Sequence, residues 1–146
     1  MSSETSTTIP VDPTSSLAPV ERDDASAVFF DATAQSRLLL RNCSECAHVR
    51  GPEVPMCTEC LSESFDWFDA AGTGHLESWV VVHSRAGADG VVPAPRIIAT
   101  VELTEGPWMI GALIGIDSDD IIGSLPVVVA FECPPDSESI PVFRPA

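Results

Sequence analysis

Four cysteines place the strongest constraint on what this chain can fold into. Cys43, Cys46, Cys57 and Cys60 form the pattern C-x2-C-x10-C-x2-C. Two close pairs, each on its own turn, can present four thiolates to one tetrahedral ion, which is what structural Zn(II) requires. The alternatives for this pattern are two redox-active C-x-x-C pairs or a disulfide framework. The spacing favours a zinc ribbon, and the zinc would be structural because four protein thiolates leave no coordination position for a substrate.

Length and composition indicate a globular protein without a membrane segment. A chain of 146 residues suits one domain, or a small module attached to one domain. No apolar run is long enough to cross a bilayer, and the first twenty residues lack the basic and apolar regions of a signal peptide. Reduced thiolates also fit a reducing compartment. We therefore expect a cytoplasmic protein with no membrane partner.

The net charge excludes one class of partner. The charge is -15, and all seven basic residues are arginine. Nucleic-acid binding depends on neutralising several phosphates with Lys or Arg, and so acidic a surface repels a phosphate backbone. We expect no nucleic-acid partner, and we interpret the charge as a solvated surface that keeps the protein soluble.

The N-terminal part divides into a tail and a helix. Residues 1–22 are mostly Ser, Thr and Pro with few large apolar groups, which predicts a disordered tail. A short amphipathic helix is predicted within residues 23–37, with Asp23 and Asp24 as candidate N-caps. Phe30 lies off the apolar stripe, so it is available either for core packing or for contact with another molecule. The stripe consists of Ala25, Val28, Phe29 and Ala32.

The remainder of the chain is predicted to be β. Residues 38–69 contain the cysteines between two apolar strands and are assigned to the zinc ribbon. Residues 70–146 hold five β-rich segments separated by turns, which suggests a small closed barrel such as the OB-fold. The predicted fold class is mainly β, with a short helix, a ribbon and a five-stranded barrel. The five predicted strands are 75–83, 96–103, 108–114, 126–132 and 140–143.

Taken together, several short motifs resemble one known family. The chain is similar to the OB-fold proteins associated with acyl-CoA enzymes, once catalogued as domain of unknown function thirty-five. That family has an N-terminal helical segment, a rubredoxin-like zinc ribbon and a C-terminal OB-fold. The resemblance covers about residues 27–146. The motifs, besides the cysteines, are Phe29-Phe30, Leu38 to Cys43, Gly72-Thr73-Gly74, Trp79 to His83, Val101 to Pro107 and Phe143 to Ala146.

The resemblance implies a function that the residues alone do not show. Members are usually non-catalytic subunits of thiolase-like enzymes, including the lipid-transfer-protein type that acts as an aldolase on steroid side-chain CoA thioesters. We therefore expect a hetero-oligomer with a thiolase-like protein, no catalytic residue in this chain, and CoA thioester binding only together with the partner, if at all. The alternative is an accessory subunit of a MaoC-like enoyl-CoA hydratase or of a ketide acyltransferase. A single-stranded nucleic-acid-binding protein is a third, less favoured hypothesis.

The chain departs from the family pattern at two kinds of position. Family ribbons often place Gly after the second cysteine of a pair, where this chain has Ala47 and Leu61. The usual aromatic pair is Phe-Trp, where this chain has Phe29 and Phe30. We assign these two phenylalanines to the partner interface as an expectation, because an obligate interface resembles a protein core cut in half.

Other residues with chemical potential lack the neighbours that a site requires. His48 follows a complete set of cysteines and is expected on the surface. His75 and His83 have no recognisable nucleophile motif, which argues against a self-sufficient hydrolase or hydratase. Cys133 is interpreted as a structural residue. Four aromatic residues of the barrel are predicted to pack in its core rather than to stack on bases: Trp79, Trp108, Phe131 and Phe143.

Overall fold

The computed structural model describes residues 18–146. Most of the predicted tail, residues 1–17, therefore lies outside the described residues. The last part of that predicted tail is held against the barrel. The Val20 N–H donates to Ser137 Oγ at 2.9 Å, and the Arg22 guanidinium pairs with the Glu138 carboxylate at 2.8 Å.

A single short helix precedes the ribbon. Helix α1 spans Ala27–Thr33, which is shorter than the predicted 23–37. Its N-cap residue is Ser26 rather than Asp23 or Asp24. Asp23 instead accepts a hydrogen bond from the Ser26 N–H at 2.8 Å, which makes a turn ahead of the helix. The helix is followed by a turn in which Ser36 takes φ of 60°, so helical backbone cannot continue to residue 37.

The ribbon is a three-stranded antiparallel sheet. Its strands are β1 (Leu39–Cys43), β2 (Val49–Arg50) and β3 (Phe65–Asp69), in the order β2-β1-β3. The central strand carries two leucines into the core, with Leu40 fully buried.

Five strands close into a barrel. They are β4 (Thr73–Val82), β5 (Arg96–Leu103), β6 (Trp108–Leu113), β7 (Pro126–Glu132) and β8 (Ile140–Pro145). Their order is β4-β5-β6-β8-β7, and β6 pairs with β8 in parallel while the other pairs are antiparallel. A short 3-10 helix, Ser118–Asp120, lies between β6 and β7. This is the five-stranded barrel of an OB-fold, and the predicted fold class is confirmed.

One hydrophobic core joins the three parts. Phe29 and Ala32 of α1 and Leu40 of β1 belong to the same buried cluster as the barrel interior. The helix and ribbon therefore pack as an extension of the barrel core. The barrel members of the cluster are Leu76, Ile97, Ala99, Val101, Leu103, Leu113, Ile121, Val127 and Phe143.

The predicted core packing of the four barrel aromatics is right for Phe143 and wrong for Trp108. Phe143 is 1% exposed, and Trp79 and Phe131 are half-buried against the core. Trp108 is 60% exposed, because the alternation of β6 points Gly111 and Leu113 inward and the even-numbered residues outward. A Cβ at Gly111 would lie 3.1 Å from the Phe143 ring, so this ring occupies the space that a larger inward residue would need.

No helix among residues 18–146 is long and apolar enough to cross a membrane.

Candidate functional site

The four cysteines converge at one end of the ribbon. Their sulfur atoms all lie within 4.8 Å of one another. The Cys43 and Cys60 sulfurs are 3.5 Å apart, as are those of Cys46 and Cys57. Four thiolates around zinc at bond lengths of about 2.3 Å require sulfur–sulfur separations of about 3.8 Å. The sulfurs are therefore positioned to hold one tetrahedral metal ion.

Two knuckles of the same geometry present the cysteine pairs. In each knuckle, the N–H of the residue after the second cysteine donates to the carbonyl of the first cysteine. Those residues, Ala47 and Leu61, both take φ of 66°, in the left-handed region that favours glycine. The first cysteine of each pair also donates its own N–H across the turn. The knuckle bonds are Ala47 to Cys43 (3.0 Å), Leu61 to Cys57 (2.9 Å), Cys43 to His48 (2.9 Å) and Cys57 to Ser62 (2.8 Å).

Backbone amides favour the thiolate form at the first cysteine of each pair. The N–H of Cys46 lowers the pKa of the Cys43 thiol to about 6, against the opposing effect of burial. The N–H of Cys60 likewise lowers the pKa of the Cys57 thiol. A thiolate is the form of cysteine that binds a metal, so the knuckle backbone prepares these two residues as ligands.

Two cysteines face the core and two face solvent. Cys43 and Cys57 are buried, whereas Cys46 and Cys60 are exposed at the surface of the ribbon. His48 is exposed and lies on the turn that follows the first pair. An all-thiolate donor set in this half-buried position has the chemistry of a closed structural site.

Two arginines of the ribbon stabilise its sheet through contacts with aromatic rings and with a backbone carbonyl. Arg41 stacks over the Phe65 ring at 4.2 Å and the Trp67 ring at 4.9 Å. Arg50 is only 3% exposed and donates from Nε to the Val54 carbonyl at 2.9 Å. The sequence analysis did not identify this cluster. The available signal was an arginine in the apolar run before Cys43 together with the aromatic residues after Cys60, because pairing of β1 with β3 places Arg41 opposite Trp67.

An apolar groove lies on the surface between α1 and the ribbon loop on one side and strands β6 and β8 of the barrel on the other. Its volume is about 510 Å³. Phe29 and Phe30, the expected interface residues, both line it and contact each other edge to face at 5.2 Å. Phe29 is only 8% exposed because it belongs to the core, whereas Phe30 is half-buried. The opposite wall comes from β6 and β8 and includes Ile110, Ala112 and Ile140.

The two barrel histidines do not meet. His75 lies near the start of β4 and His83 just past its end, and both are exposed. Cys133 is half-buried and its thiol donates to the Ser137 carbonyl at 3.3 Å. These residues do not form a convergent nucleophile–base arrangement within residues 18–146.

Sequence models of two adjacent domains match this chain. The model described as the ChsH2 rubredoxin-like zinc ribbon domain matches residues 30–66. The model described as the ChsH2 C-terminal OB-fold domain matches residues 67–132. The two matches together extend from the helix to the penultimate strand of the barrel.

Two relatives are named as hydratase alpha subunits. The "probable enoyl-CoA hydratase alpha subunit" of Thermomonospora curvata is 38% identical over 128 residues, which is 87% of this chain and 39% of the relative. The "3-oxo-4,17-pregnadiene-20-carboxyl-CoA hydratase alpha subunit" of Mycobacterium tuberculosis is 29% identical over 126 residues, which is 86% of this chain and 39% of the relative. The chain thus spans about two fifths of the length of these relatives.

One solved structure matches over nearly its whole length. A chain of the "Ltp2-ChsH2(DUF35) aldolase" superposes with a TM-score of 0.71 and 37% sequence identity. The match covers 85% of this chain and 96% of that chain.

Proposed function

The chain belongs to the DUF35 family of ChsH2-type proteins, which join a rubredoxin-like zinc ribbon to an OB-fold, and from this membership we propose that it is a non-catalytic subunit of an acyl-CoA enzyme. Within residues 18–146, His75, His83 and Cys133 lie apart and do not form a nucleophile–base arrangement. In this proposal, the partner subunit supplies the nucleophile, acid and base.

The proposed partner is a thiolase-like protein of the lipid-transfer type, and the complex is an aldolase. The observation that carries this proposal is the match to the aldolase chain, which is covered for 96% of its length at 37% identity. The proposed substrate class is the CoA thioester of a steroid side chain. The name of the Mycobacterium tuberculosis relative, which acts on a pregnadiene carboxyl-CoA, supports that class.

A second candidate is an accessory role in enoyl-CoA hydration. The relative from Thermomonospora curvata carries a hydratase name at 38% identity, which favours this alternative. That match covers 39% of the relative, so it concerns only the part of the hydratase subunit that this chain resembles. We rank hydration second because the aldolase chain is matched over nearly all of its length.

We further propose that the cysteine set holds structural zinc. The sulfur separations of 3.5 Å and the all-thiolate donor set support zinc rather than a metal that prefers oxygen ligands. The ion would tie the two knuckles together and so fix the ribbon against the barrel. A CoA thioester would be bound only in the complex, if this chain contacts it at all.

Co-expression tests the proposed function. The chain should be produced with a thiolase-like protein, and separately with a MaoC-like hydratase, each chosen among the products of neighbouring genes. We expect a stable hetero-oligomer with the thiolase-like protein in size-exclusion chromatography, and retro-aldol cleavage of a steroid side-chain CoA thioester by the complex. The chain alone should turn over no acyl-CoA.

Two controls decide between the alternatives. Assembly with the hydratase alone, with hydration activity, would move the function to the second candidate. If the chain stays alone with both neighbours and the thiolase-like protein is fully active without it, the accessory-subunit proposal is wrong.

A further inference from the structure

The outer surface of three barrel strands is apolar where a solvated sheet would be polar. An antiparallel sheet with one face in water alternates apolar inward and polar outward residues. On β4, β5 and β6 several outward positions are apolar, beside the polar outward residues Ser78, Thr100 and Glu102. Val80 is 59% exposed, Trp108 60% and Ile110 70%. We call this surface the outer barrel face and define it by Val80, Ile98, Thr100, Trp108, Ile110 and Ala112.

The strand register brings these side chains into one patch. Ile98 pairs with Val80 on one side and with Ala112 on the other, so these three form a row across the sheet. In the adjacent row Thr100 pairs with Ser78 and Ile110, and in the next row Glu102 pairs with Trp108. Neighbouring rows on one face of a sheet lie within side-chain contact distance, so the apolar residues form a continuous strip along β6 and across the first row, bordered by polar residues of β4 and β5. A continuous exposed apolar surface of this kind marks an interaction site.

The outer barrel face continues into the apolar groove. Ile110 and Ala112 belong to the face and also line the groove opposite Phe30. The groove and the face thus form one surface that runs from α1 across β6 to β4. A surface with a groove along one side suits a protein partner that inserts a side chain or a helix edge into it.

Charge argues for a partner other than a second copy. None of the six residues of the face is charged, and the nearest charged neighbours on β5, Arg96 and Glu102, lie at opposite ends of the patch. The whole chain has a net charge of -15, so two copies brought face to face would repel. A partner with an apolar centre and a basic rim would complement both the uncharged patch and the negative net charge of this chain.

The same face is where OB-folds usually bind oligonucleotides, through their second and third strands. Here those strands are β5 and β6, and the exposed Trp108 could stack on a base. Such binding also needs a positive groove along the strands, and Arg96 is the one basic residue that β5 and β6 provide. The charge therefore favours a protein partner over nucleic acid.

We propose that the outer barrel face, together with the Phe30 side of the groove, is the docking surface for the catalytic acyl-CoA enzyme subunit, which presents to it an apolar patch with a basic rim. This inference rests on the proposed function. Of the two phenylalanines expected at the interface, Phe30 is the one available for the partner, because Phe29 is buried in the core of this chain.

A matched pair of isoleucine variants tests the surface. Ile110→Glu places a charge in the centre of the face, whereas Ile122→Glu places the same charge at an isoleucine that is 63% exposed outside β4–β6. Both side chains are exposed, so both variants should fold and bind zinc as the parent does. We expect Ile110→Glu to weaken the complex with the thiolase-like neighbour about thirtyfold or more, the effect of a lost central contact, and Ile122→Glu to leave it unchanged. Affinity is measured by titration calorimetry on the purified, metal-loaded proteins.

The outcomes separate this inference from the proposed function. If the parent forms the complex and Ile110→Glu binds as tightly, the surface is wrong and the function stands. If the parent forms no complex with the neighbour, the function fails and this inference falls with it. Light scattering of the chain alone must show a monomer, since a dimer that Ile110→Glu dissociates would assign the face to a second copy. Binding of a labelled single strand that Trp108→Ala abolishes would assign it to nucleic acid.

Discussion

Two residues in the cysteine knuckles adopt a backbone conformation that is unfavourable for residues other than glycine. Leu61 takes φ of 66° and is 69% exposed, so its side chain gains little packing in return. We predict that Leu61→Gly raises the free energy of unfolding of the metal-loaded protein by about 0.5–1 kcal/mol, because glycine relieves a strain of about 1–2 kcal/mol and loses part of the gain to unfolded-chain entropy. Chemical denaturation measures it. Leu61→Ala keeps the strain and is the control, and equal stability of the two variants would contradict the explanation.

The four cysteines lead to a prediction about the metal content of the protein. Elemental analysis of the purified protein should give about one zinc per chain. Cys57→Ser should lose the metal and unfold the ribbon, because metal binding and ribbon folding are coupled, which exposes Phe65 and Trp67. Cys133→Ser is the matched control, since this cysteine lies outside the set and its thiol donates to the Ser137 carbonyl. A folded ribbon in a metal-free Cys57→Ser protein would show that the cysteines do not hold a structural ion.

At the scale of the element, the two phenylalanines of α1 have different roles. Phe29 is 8% exposed in the shared core, and Phe30 lines the groove from a half-buried position. We predict that Phe29→Ala lowers the free energy of unfolding by about 3 kcal/mol, the usual effect of removing a buried ring. Phe30→Ala should cost less stability and should weaken assembly with the partner subunit. Thermal unfolding and size-exclusion chromatography measure the two effects. If Phe29→Ala and Phe30→Ala change stability equally, the division of roles is wrong.

The limits of two strands were predicted correctly from the sequence, whereas the limits of the helix were not. The predicted and observed limits agree for Arg96–Leu103 and Pro126–Glu132, where turn residues bound the apolar run on each side. At α1 the predicted caps are Asp23 and Asp24, whereas the helix begins after Ser26, and local propensity does not distinguish Ser from Asp at an N-cap. Asp23 is used in a preceding turn, which shortens the helix at its start.

Which side of β6 faces outward could not be predicted, because the strand contains no polar residues whose spacing would mark the solvent side. Each residue from Trp108 to Leu113 is apolar or glycine, so period-two alternation does not say which side faces the core. Tertiary packing decides it, since the Phe143 ring fills the space beside Gly111 and no larger inward residue fits. The cysteine set could be predicted from residue spacing alone. The proposed docking surface could not, because the sequence does not decide which side of β6 faces outward.

At the scale of the whole molecule, the net charge argues against binding of nucleic acid by the barrel. A chain at -15 has few cations with which to displace counterions from a nucleic acid. We predict no detectable binding to single-stranded DNA or RNA at moderate salt, measured by fluorescence anisotropy with labelled oligonucleotides. Micromolar binding that weakens as salt rises would return the barrel to the usual OB-fold role.

The shared core also makes the ribbon and barrel depend on each other. Leu40 of β1 and Phe29 of α1 pack in one cluster with the barrel interior, so loss of the ribbon removes part of the barrel's packing. We therefore expect chelation of the metal to lower the thermal midpoint of the barrel as well as that of the ribbon. Differential scanning calorimetry with and without chelator measures this. A barrel transition that stays at the same temperature would mean that the two parts unfold independently.

The outward position of Trp108 gives the protein an optical reporter of its own assembly. The chain contains three tryptophans and no tyrosine, so its near-ultraviolet emission comes from indole alone. Trp67 stacks beneath Arg41 in the ribbon, Trp79 is half-buried in the barrel, and Trp108 is the solvent-exposed emitter among the three. Covering Trp108 by a partner should shift the emission to shorter wavelength and protect it from a soluble quencher. Association can therefore be followed in real time without attaching a dye.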